Sequence, residues 1–147
     1  MPLANKKNIF QEMNEGQFIE GGALNSFGEK FDFEGKEFKP TMKYNLLGTT
    51  MNYFIENSIL DIPDYIKIDV DGIEHLILEG GDKFLNDKKV KSLSIEINEN
   101  FKEQYDKVLN LMNKYGFKLL HKKHNDDMLS KQSKFKNTYN YIFKKLK

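Results

Sequence analysis

The sequence of 147 residues contains no cysteine and no arginine. Without cysteine, the chain can form no disulfide, thiol nucleophile or zinc–thiolate site. Arginine is the usual bidentate partner of phosphate and guanine, so its absence argues against a nucleic-acid partner, although lysine can still hold phosphate as a point charge. All 23 basic residues are lysines, and the net charge of +1 gives little long-range attraction. This composition predicts a solvated surface.

Long apolar runs are also absent. No run approaches the ~20 residues of a membrane-spanning helix, and the N-terminus lacks a signal-peptide core. We therefore expect a cytoplasmic protein with no membrane partner. The apolar fraction of 39% is sufficient for a hydrophobic core, and the length suits one domain over residues 1–147.

The residue pattern divides the chain into two regions. Residues 1–48 are rich in Gly, Asn and Phe and predict an irregular region, with a hairpin over Phe31–Phe38 that turns at Gly35. Gly21-Gly22 is not followed by a strand and a helix in dinucleotide-binding order, so it predicts a loop. Residues 49–147 predict an α/β core.

Helix and strand signals alternate in the core region. Three helices are predicted: Met51–Asn57 with a threonine cap, Ile73 to the Gly80-Gly81 pair, and a helix from the Asn100/Glu103 capping box to Gly116. Four strands are predicted: Tyr65–Val70, Ser92–Asn98, Phe117–Lys122 and Tyr139–Lys144. Helices between consecutive strands imply parallel pairing through right-handed crossovers. The last strand follows a polar stretch instead of a helix, so we expect it to be antiparallel, at or near an edge.

Polar residues lie where the first two core strands end. Asp69 and Asp71 follow one strand, and Glu96 and Asn98 end the next. Ligands of open parallel sheets bind beyond the carboxyl ends of the strands, and neighbouring strands lie ~4.8 Å apart. We therefore expect Asp69 and Glu96 to face one cavity. Such carboxylates can act as a general base toward a hydroxyl, compensate a cationic ligand or hold a magnesium ion.

Some of these acids have a purely structural alternative. Asp71 and Glu74 have the spacing of acids at a helix N-terminus, where they satisfy free N–H groups and complement the helix dipole. Asp69 interrupts an apolar strand, where a buried acid would need a partner, and this favours a functional role. The helical phase of His75 predicts a solvent-facing side chain.

Several segments follow one another in a recognisable order. They are Ile-Lys-Ile-Asp-Val-Asp-Gly-Ile-Glu at 66–74, Leu-Glu-Gly-Gly at 78–81 and Ser-Ile-Glu-Ile-Asn at 94–98, accompanied by Thr49–Phe54, Tyr115–Phe117 and Tyr139–Phe143. This series resembles the FkbM family of S-adenosylmethionine-dependent methyltransferases. The resemblance is strongest over Thr49–Asn98.

The resemblance implies a fold, a reaction and a set of site residues. The fold would be α/β, a partial Rossmann-like class I methyltransferase sheet, mostly parallel with an antiparallel last strand and with helices packed on the sheet. The reaction would be methylation of a hydroxyl of a sugar or small metabolite by S-adenosylmethionine. The implied catalytic residues are Asp69, Asp71, Glu96 and Asn98, and the implied cofactor-binding residues are Ala4, Asn5 and Gly72.

The resemblance covers the C-terminal part of such a domain. This chain does not match the N-terminal glycine-rich cofactor segment, and Met1–Asn5 is similar to the segment just past the third strand, near the adenine. We therefore expect an incomplete domain in which the strand Tyr65–Val70 is an exposed edge, and we predict a homo-oligomer. The alternatives are a non-catalytic remnant or oligomerising half-domain that needs a partner segment, and a magnesium-dependent hydrolase using Asp69, Asp71 and Glu96.

Overall fold

The computed structural model describes residues 1–17, 24–37, 39–124, 133 and 135–146. The predicted loop at Gly21-Gly22, the end of the predicted hairpin at Phe38 and most of the polar stretch before the last strand lie outside these residues. The elements of the described chain are β1 (Ile9–Glu15), β2 (Ser26–Phe27), β3 (Met42–Gly48), α1 (Met51–Glu56), β4 (Tyr65–Ile68), α2 (Glu74–Glu79), α3 (Asp82–Asn86), β5 (Ser92–Asn98), α4 (Lys102–Lys114), β6 (Phe117–Lys123) and β7 (Thr138–Lys145). The fold is mixed α/β, as predicted.

A four-stranded sheet with the order β4-β5-β7-β6 forms the core region. β4 and β5 pair in parallel, whereas β7 pairs antiparallel with both of its neighbours. The predicted antiparallel last strand is therefore confirmed, one position in from the edge. The expected mostly parallel sheet is not confirmed, because the insertion of β7 leaves one parallel pairing among the described strands.

The position of β7 follows from its side chains. Tyr141 and Phe143 of β7 are buried in the core, whereas Phe117 is the single buried residue of β6. An outer strand needs to bury little and is protected from aggregation by lysines, and β6 carries Lys118, Lys122 and Lys123. The more apolar strand therefore lies inside the sheet and the lysine-rich strand lies at its edge.

A second sheet was not predicted from the sequence. β1 pairs antiparallel with both β2 and β3 in the order β2-β1-β3. Most residues of β3 are exposed, so its sequence lacks the apolar alternation that would predict a strand. Within the described part of the predicted hairpin there is one bridge, between Phe31 and Glu37, with Gly35 in the left-handed turn at φ 74°.

The helices agree with the sequence at their centres and differ at some ends. Thr50 caps α1 as predicted, its hydroxyl accepting a hydrogen bond from the backbone N–H of Tyr53. The Gly80-Gly81 pair ends α2, but α3 begins directly after it. The predicted cap at Asn100 is wrong, because the N-cap residue of α4 is Phe101 and the Asn100 N–H is already bound by the side chain of Asn98.

The core lies between the four-stranded sheet and the helices packed against it. Its largest fully buried apolar side chains are Leu78, Leu85, Leu93, Ile95, Ile97, Met112 and Phe143. The first residues of the chain join this core, since the backbone of Ala4 donates a hydrogen bond to Thr49 and the Ala4 residue is buried. None of the described helices is long and apolar enough to cross a membrane.

Two adjacent glycines provide a matched test of how closely the N-terminal segment packs. A Cβ added at Gly80 would lie 2.4 Å from the backbone oxygen of Ala4, whereas one added at Gly81 would lie 3.1 Å from the flexible side chain of Met51. We expect Gly80→Ala to lower the free energy of unfolding by about 1–3 kcal/mol, and Gly81→Ala to change it by less than about 1 kcal/mol. Urea denaturation measures both. Equal losses in the two variants would contradict the close packing of Ala4 on Gly80.

Candidate functional site

The ends of β4 and β5 lie side by side because the two strands are parallel, with Ile68 in register with Ile95. Asp69 follows β4 directly, and Glu96 lies one residue beyond the register position of Ile95. Their carboxyl groups share a hydrogen bond, so these two predicted residues lie side by side. They line different cavities, however: Glu96 lines a small pit, and Asp69 lines a larger cleft and a groove. Asp69 also forms an ion pair with Lys67, whose Nζ lies 2.6 Å from Oδ2.

Asp71 is directed toward another part of the chain. Its Oδ2 accepts hydrogen bonds from the backbone N–H groups of Leu24 and Asn25. The carboxylate thereby fastens the segment before β2 to the end of β4. The N-cap residue of α2 is Ile73, whose side chain makes no capping hydrogen bond.

Glu74 and Gln104 form a buried polar pair that was not predicted from the sequence. The Glu74 carboxyl accepts hydrogen bonds from the backbone N–H of Val70, at 3.1 Å, and from the side-chain amide of Gln104. The oxygen of the same amide accepts a hydrogen bond from the backbone N–H of Asn98 at 3.2 Å. One chain of hydrogen bonds therefore runs from the end of β4 through α2 and α4 to the end of β5.

A signal for Gln104 is present in the sequence. It lies four and eight residues before Val108 and Met112, both of which the sequence places on the inward face of α4. A polar residue in such an apolar stripe requires a buried partner. The equivalent reasoning fails for Glu74, because its position at the start of α2 equally suits a solvated acid at a helix N-terminus.

Burial and neighbouring charge raise the pKa of two carboxyl groups. Burial raises the pKa of Glu74 to about 8, although the hydrogen bond from Val70 acts in the opposite direction. Burial, followed by the negative charges of Asp69 and Asp71, raises the pKa of Glu96 to about 7. Two acids near one strand end are therefore protonated at pH values where an ordinary glutamate is ionised.

A small polar pit lies among these groups. It has a volume of about 10 Å³, which matches one water-sized oxygen, and is lined by Phe33, Val70, Gly72, Glu74, Glu96, Asn98, Gln104 and Thr138. Gly72 has φ 104°, and a Cβ there would lie 3.0 Å from both the Asp32 backbone oxygen and the Phe33 Cα. The glycine therefore lets the turn at residues 31–37 approach the pit closely.

A larger cleft lies beside the pit, beyond the end of β4. It has a volume of about 430 Å³, and its lining includes Pro2, Leu3, Phe27, Asp69 and Asp71. Pro2 and Leu3, and not Ala4 and Asn5, line this cleft. Ala4 is instead packed against Gly80, and the side-chain amide of Asn5 donates a hydrogen bond to Glu79 at 2.9 Å. The cofactor-binding role predicted for Ala4, Asn5 and Gly72 stays a prediction.

The other ionisable groups of the described residues do not extend the site. His75 is buried, which contradicts the predicted solvent-facing position, because Phe31 and Phe101 pack on its ring with centroids 6.4 and 5.9 Å away. Within the described ranges, no three His, Cys, Asp or Glu side chains are placed to hold a metal ion. A cavity of about 810 Å³ lies at the opposite end of β4 and β5 and is lined by lysines such as Lys88 and Lys91.

The buried carboxyl of Glu74 predicts a pH-dependent stability. Its pKa is about 8 in the folded protein against an ordinary value of 4.5, so the folded state keeps a proton that the unfolded chain releases between these values. The stabilisation is complete below the lower pKa and is lost as the pH rises through the higher one. We expect the free energy of unfolding to fall by a few kcal/mol between about pH 5 and about pH 8.5, at about 1.4 kcal/mol per unit of pKa shift.

Urea denaturation of Glu74→Gln across this pH range is the test. The variant is expected to retain only the weaker dependence that Glu96 contributes in the same direction. Asp106→Asn, a change on the exposed face of α4, is the matched control and should keep the full slope. An unchanged slope in Glu74→Gln would show that Glu74 is not the group responsible.

Comparison with known proteins identifies a family. The family model described as "Methyltransferase FkbM domain" matches residues 25–119, which is more than half of the chain and includes Asp69, Glu74, Glu96 and Gln104. No curated protein and no solved structure matches the chain. The family suggested by the motifs at 66–74 and 94–98 is therefore confirmed: this chain belongs to the FkbM methyltransferase domain family.

Proposed function

We propose that this chain transfers a methyl group from S-adenosylmethionine to a hydroxyl oxygen of a sugar or small metabolite. The observation that carries the proposal is the hydrogen-bonded pair of carboxyls, Asp69 and Glu96, at the adjoining ends of β4 and β5 in a chain of the FkbM family. Methyl transfer to a hydroxyl requires a group that accepts the hydroxyl proton and a negative environment for a cationic methyl donor. The two strand ends offer both.

The cleft beside β4 fits the cofactor in size and character. Its volume of about 430 Å³ lies in the range of small-molecule sites. Leu3, Phe27 and Ile73 offer apolar surface, and Asp69 and Asp71 offer negative charge near the same place. When bound, S-adenosylmethionine supplies an electrophilic methyl group on a positively charged sulfur, which these carboxylates would stabilise electrostatically.

Glu96 is the proposed general base. It is half-buried and has a pKa of about 7, so it exchanges a proton with a substrate hydroxyl near neutral pH. Asp69 contributes to that pKa through its negative charge and is itself paired with Lys67. The Glu74–Gln104 pair keeps the ends of β4 and β5 at a fixed separation, which maintains the orientation of Asp69 and Glu96.

Substitution of Glu96 separates binding from chemistry. We expect Glu96→Gln to lower the turnover of radiolabelled methyl transfer to a panel of monosaccharides by about 10²–10⁴-fold, because a proton acceptor is lost. Calorimetry should find S-adenosylmethionine binding unchanged in this variant. Absence of binding to the wild-type chain at millimolar cofactor would overturn independent activity.

The pH profile gives a second readout on the same base. Activity should rise through about pH 7 as Glu96 loses its proton. Asp69→Asn removes a negative charge that raises the pKa of Glu96, so the rise should move to lower pH. Asp106→Asn on α4 should leave the profile in place. A rise that does not move in Asp69→Asn would argue against coupling between the two carboxyls.

A second candidate function, that of an oligomerising half-domain, is favoured by the open edge of β4. Among the described strands, β4 pairs only with β5, and Tyr65 is 70% exposed. An apolar groove of about 490 Å³ runs beside this edge, and its lining includes Leu3, Met51, Phe54, Ile66, Ile77 and Phe84. An unpaired strand edge beside an apolar groove is suited to accept another strand.

We propose that the occupant is β4 of a second copy. If two copies pair antiparallel with Ile68 opposite Ile68, the two-fold symmetry puts Lys67 of each copy opposite Asp69 of the other. Ile66 then lies opposite Val70, so apolar residues meet apolar residues and opposite charges meet. This self-complementarity favours a second copy over an unrelated strand.

Charge reversal tests this pairing. Lys67→Asp gives each β4 edge two acids and Asp69→Lys gives each edge two lysines, so we expect each variant alone to be monomeric by light scattering. An equimolar mixture of the two variants should form dimers, because acidic edges then face basic ones. A monomeric wild-type chain, or a mixture that remains monomeric, would contradict the proposal. Asp106→Asn should behave as the wild type does.

A further inference from the structure

Two polar atoms in the pit beneath Phe33 have no hydrogen-bond partner among the described residues. They are the side-chain nitrogen Nδ2 of Asn98 and the hydroxyl oxygen Oγ1 of Thr138. The two residues are register partners at the ends of β5 and β7, and they are only 4% and 3% exposed. A buried polar group without a partner is destabilising, so this pair indicates a place where a bound oxygen belongs.

The lining of the pit restricts what that oxygen can be. The volume of about 10 Å³ admits one oxygen and excludes a phosphate or carboxylate group. The carboxylate of Glu96, once ionised, also disfavours an anion. The Asn98 amide nitrogen only donates hydrogen bonds, which disfavours an ammonium group because a cation has no lone pair to accept them.

An uncharged hydroxyl satisfies all of these groups together. Its oxygen can accept a hydrogen bond from Asn98 Nδ2, and its proton can be donated to the Glu96 carboxylate. Thr138 Oγ1 can serve as donor or acceptor, according to how its own hydrogen is turned. A neutral amine has one lone pair and fits less well between two potential donors.

We propose that the pit is the subsite for the acceptor hydroxyl, and that Thr138 is a specificity-determining residue which selects alcohols over amines. This assignment rests on the proposed methyl transfer, and it identifies the substrate oxygen whose proton Glu96 accepts. Thr138 and Asn98 hold the hydroxyl oxygen, and Glu96 accepts its hydrogen bond. Gly72 permits the turn carrying Phe33 to lie against the pit and restrict it to a single oxygen.

Binding of a minimal alcohol tests the subsite without the cofactor. We would titrate ¹⁵N-labelled protein with ethylene glycol and follow the side-chain amide signals of Asn98, with 1,2-dimethoxyethane as the same skeleton without a hydroxyl. Ethylene glycol is expected to shift these signals, and dimethoxyethane is not. Equal responses to both, or no response to ethylene glycol because a water is retained in the pit, would overturn the proposal.

Variants of Thr138 link the signal to the hydroxyl. Thr138→Val should weaken ethylene glycol binding about tenfold, a difference of about 1.4 kcal/mol, while Thr138→Ser should retain it. Thr138→Val should also unfold at an equal or higher temperature, because it removes an unpartnered buried hydroxyl. The control is Thr41→Val, at a remote threonine whose hydroxyl donates to the Gly16 carbonyl at 2.7 Å, and it should bind as the wild type does. Equal affinity in Thr138→Val and wild type would refute the role of Thr138.

The proposed subsite and the proposed methyl transfer can be refuted independently of each other. A chain that shows the expected alcohol binding but no calorimetric binding of S-adenosylmethionine keeps the subsite and loses the proposed reaction. In a chain that does transfer methyl groups, Thr138→Val should raise KM for a sugar alcohol acceptor more than it lowers kcat, and Thr138→Ser should restore KM. Equal KM values for the three proteins would overturn the specificity role.

Discussion

The hydrogen bonds between Glu74, Gln104 and two strand ends are the contact on which the candidate site depends. β4 and β5 are joined laterally by their parallel pairing, but the backbone leaves that pairing after Ile68 and continues into α2. Beyond this point the Val70 N–H is satisfied by Glu74, and the Asn98 N–H by Gln104. A buried backbone N–H without a partner is costly, so the side chains of α2 and α4 take over where the sheet stops. The same bonds fix how far Asp69 lies from Glu96.

Burial gives the two glutamates different chemistry. Glu74 lies in the interior with both oxygens occupied, and Glu96 lies half-exposed at the rim, next to the charges of Asp69 and Asp71. A group that is enclosed and bonded on both sides has no free position for a substrate. A group that is partly solvated and has a pKa of about 7 can both lose and regain a proton near neutral pH. Their surroundings therefore give Glu74 a structural role and Glu96 a reactive one, although both are glutamates with raised pKa values.

The sequence predicted the elements whose signals are local. Strand Ser92–Asn98 has apolar residues at every second position, and helix α1 begins at a threonine cap, so both were located from neighbouring residues alone. Elements that depend on distant contacts were missed. β3 is mostly exposed and forms because β1 pairs along its whole length, and α3 follows a glycine pair that usually ends a helix. The parallel pairing of β4 and β5 was predicted, but the insertion of β7 depends on which strand has more to bury.

The site shows the same division between local and distant information. The carboxylates at the strand ends were predictable because the chain order of a parallel sheet dictates where they lie. His75 was wrongly placed, because the helical phase within α2 carries no information about the turn at residues 31–37, which covers that side of the helix through Phe31. Gln104 and Thr138 reach the site from α4 and β7, well separated in sequence from the Asp69 motif.

Position in the sheet explains why this site combines a rigid side with an open one. Toward β5, the ends of β4, β5 and β7 are held by paired backbone and by buried polar groups such as Glu74 and Gln104. Toward the other side, β4 ends in a cleft and a groove that both include Leu3, Asp69, Val70 and Ile77. A group bound on the rigid side meets fixed donors and acceptors, whereas a group bound on the open side meets mainly apolar surface and the charge of Asp69. Recognition of a single hydroxyl needs the first kind of surface, and docking of a larger apolar body needs the second. Asp69 lies at the boundary between the rigid side and the open side. Any group that fills the groove therefore alters the solvation of Asp69. Because Asp69 and Glu96 share a hydrogen bond, it also alters the proton affinity of Glu96.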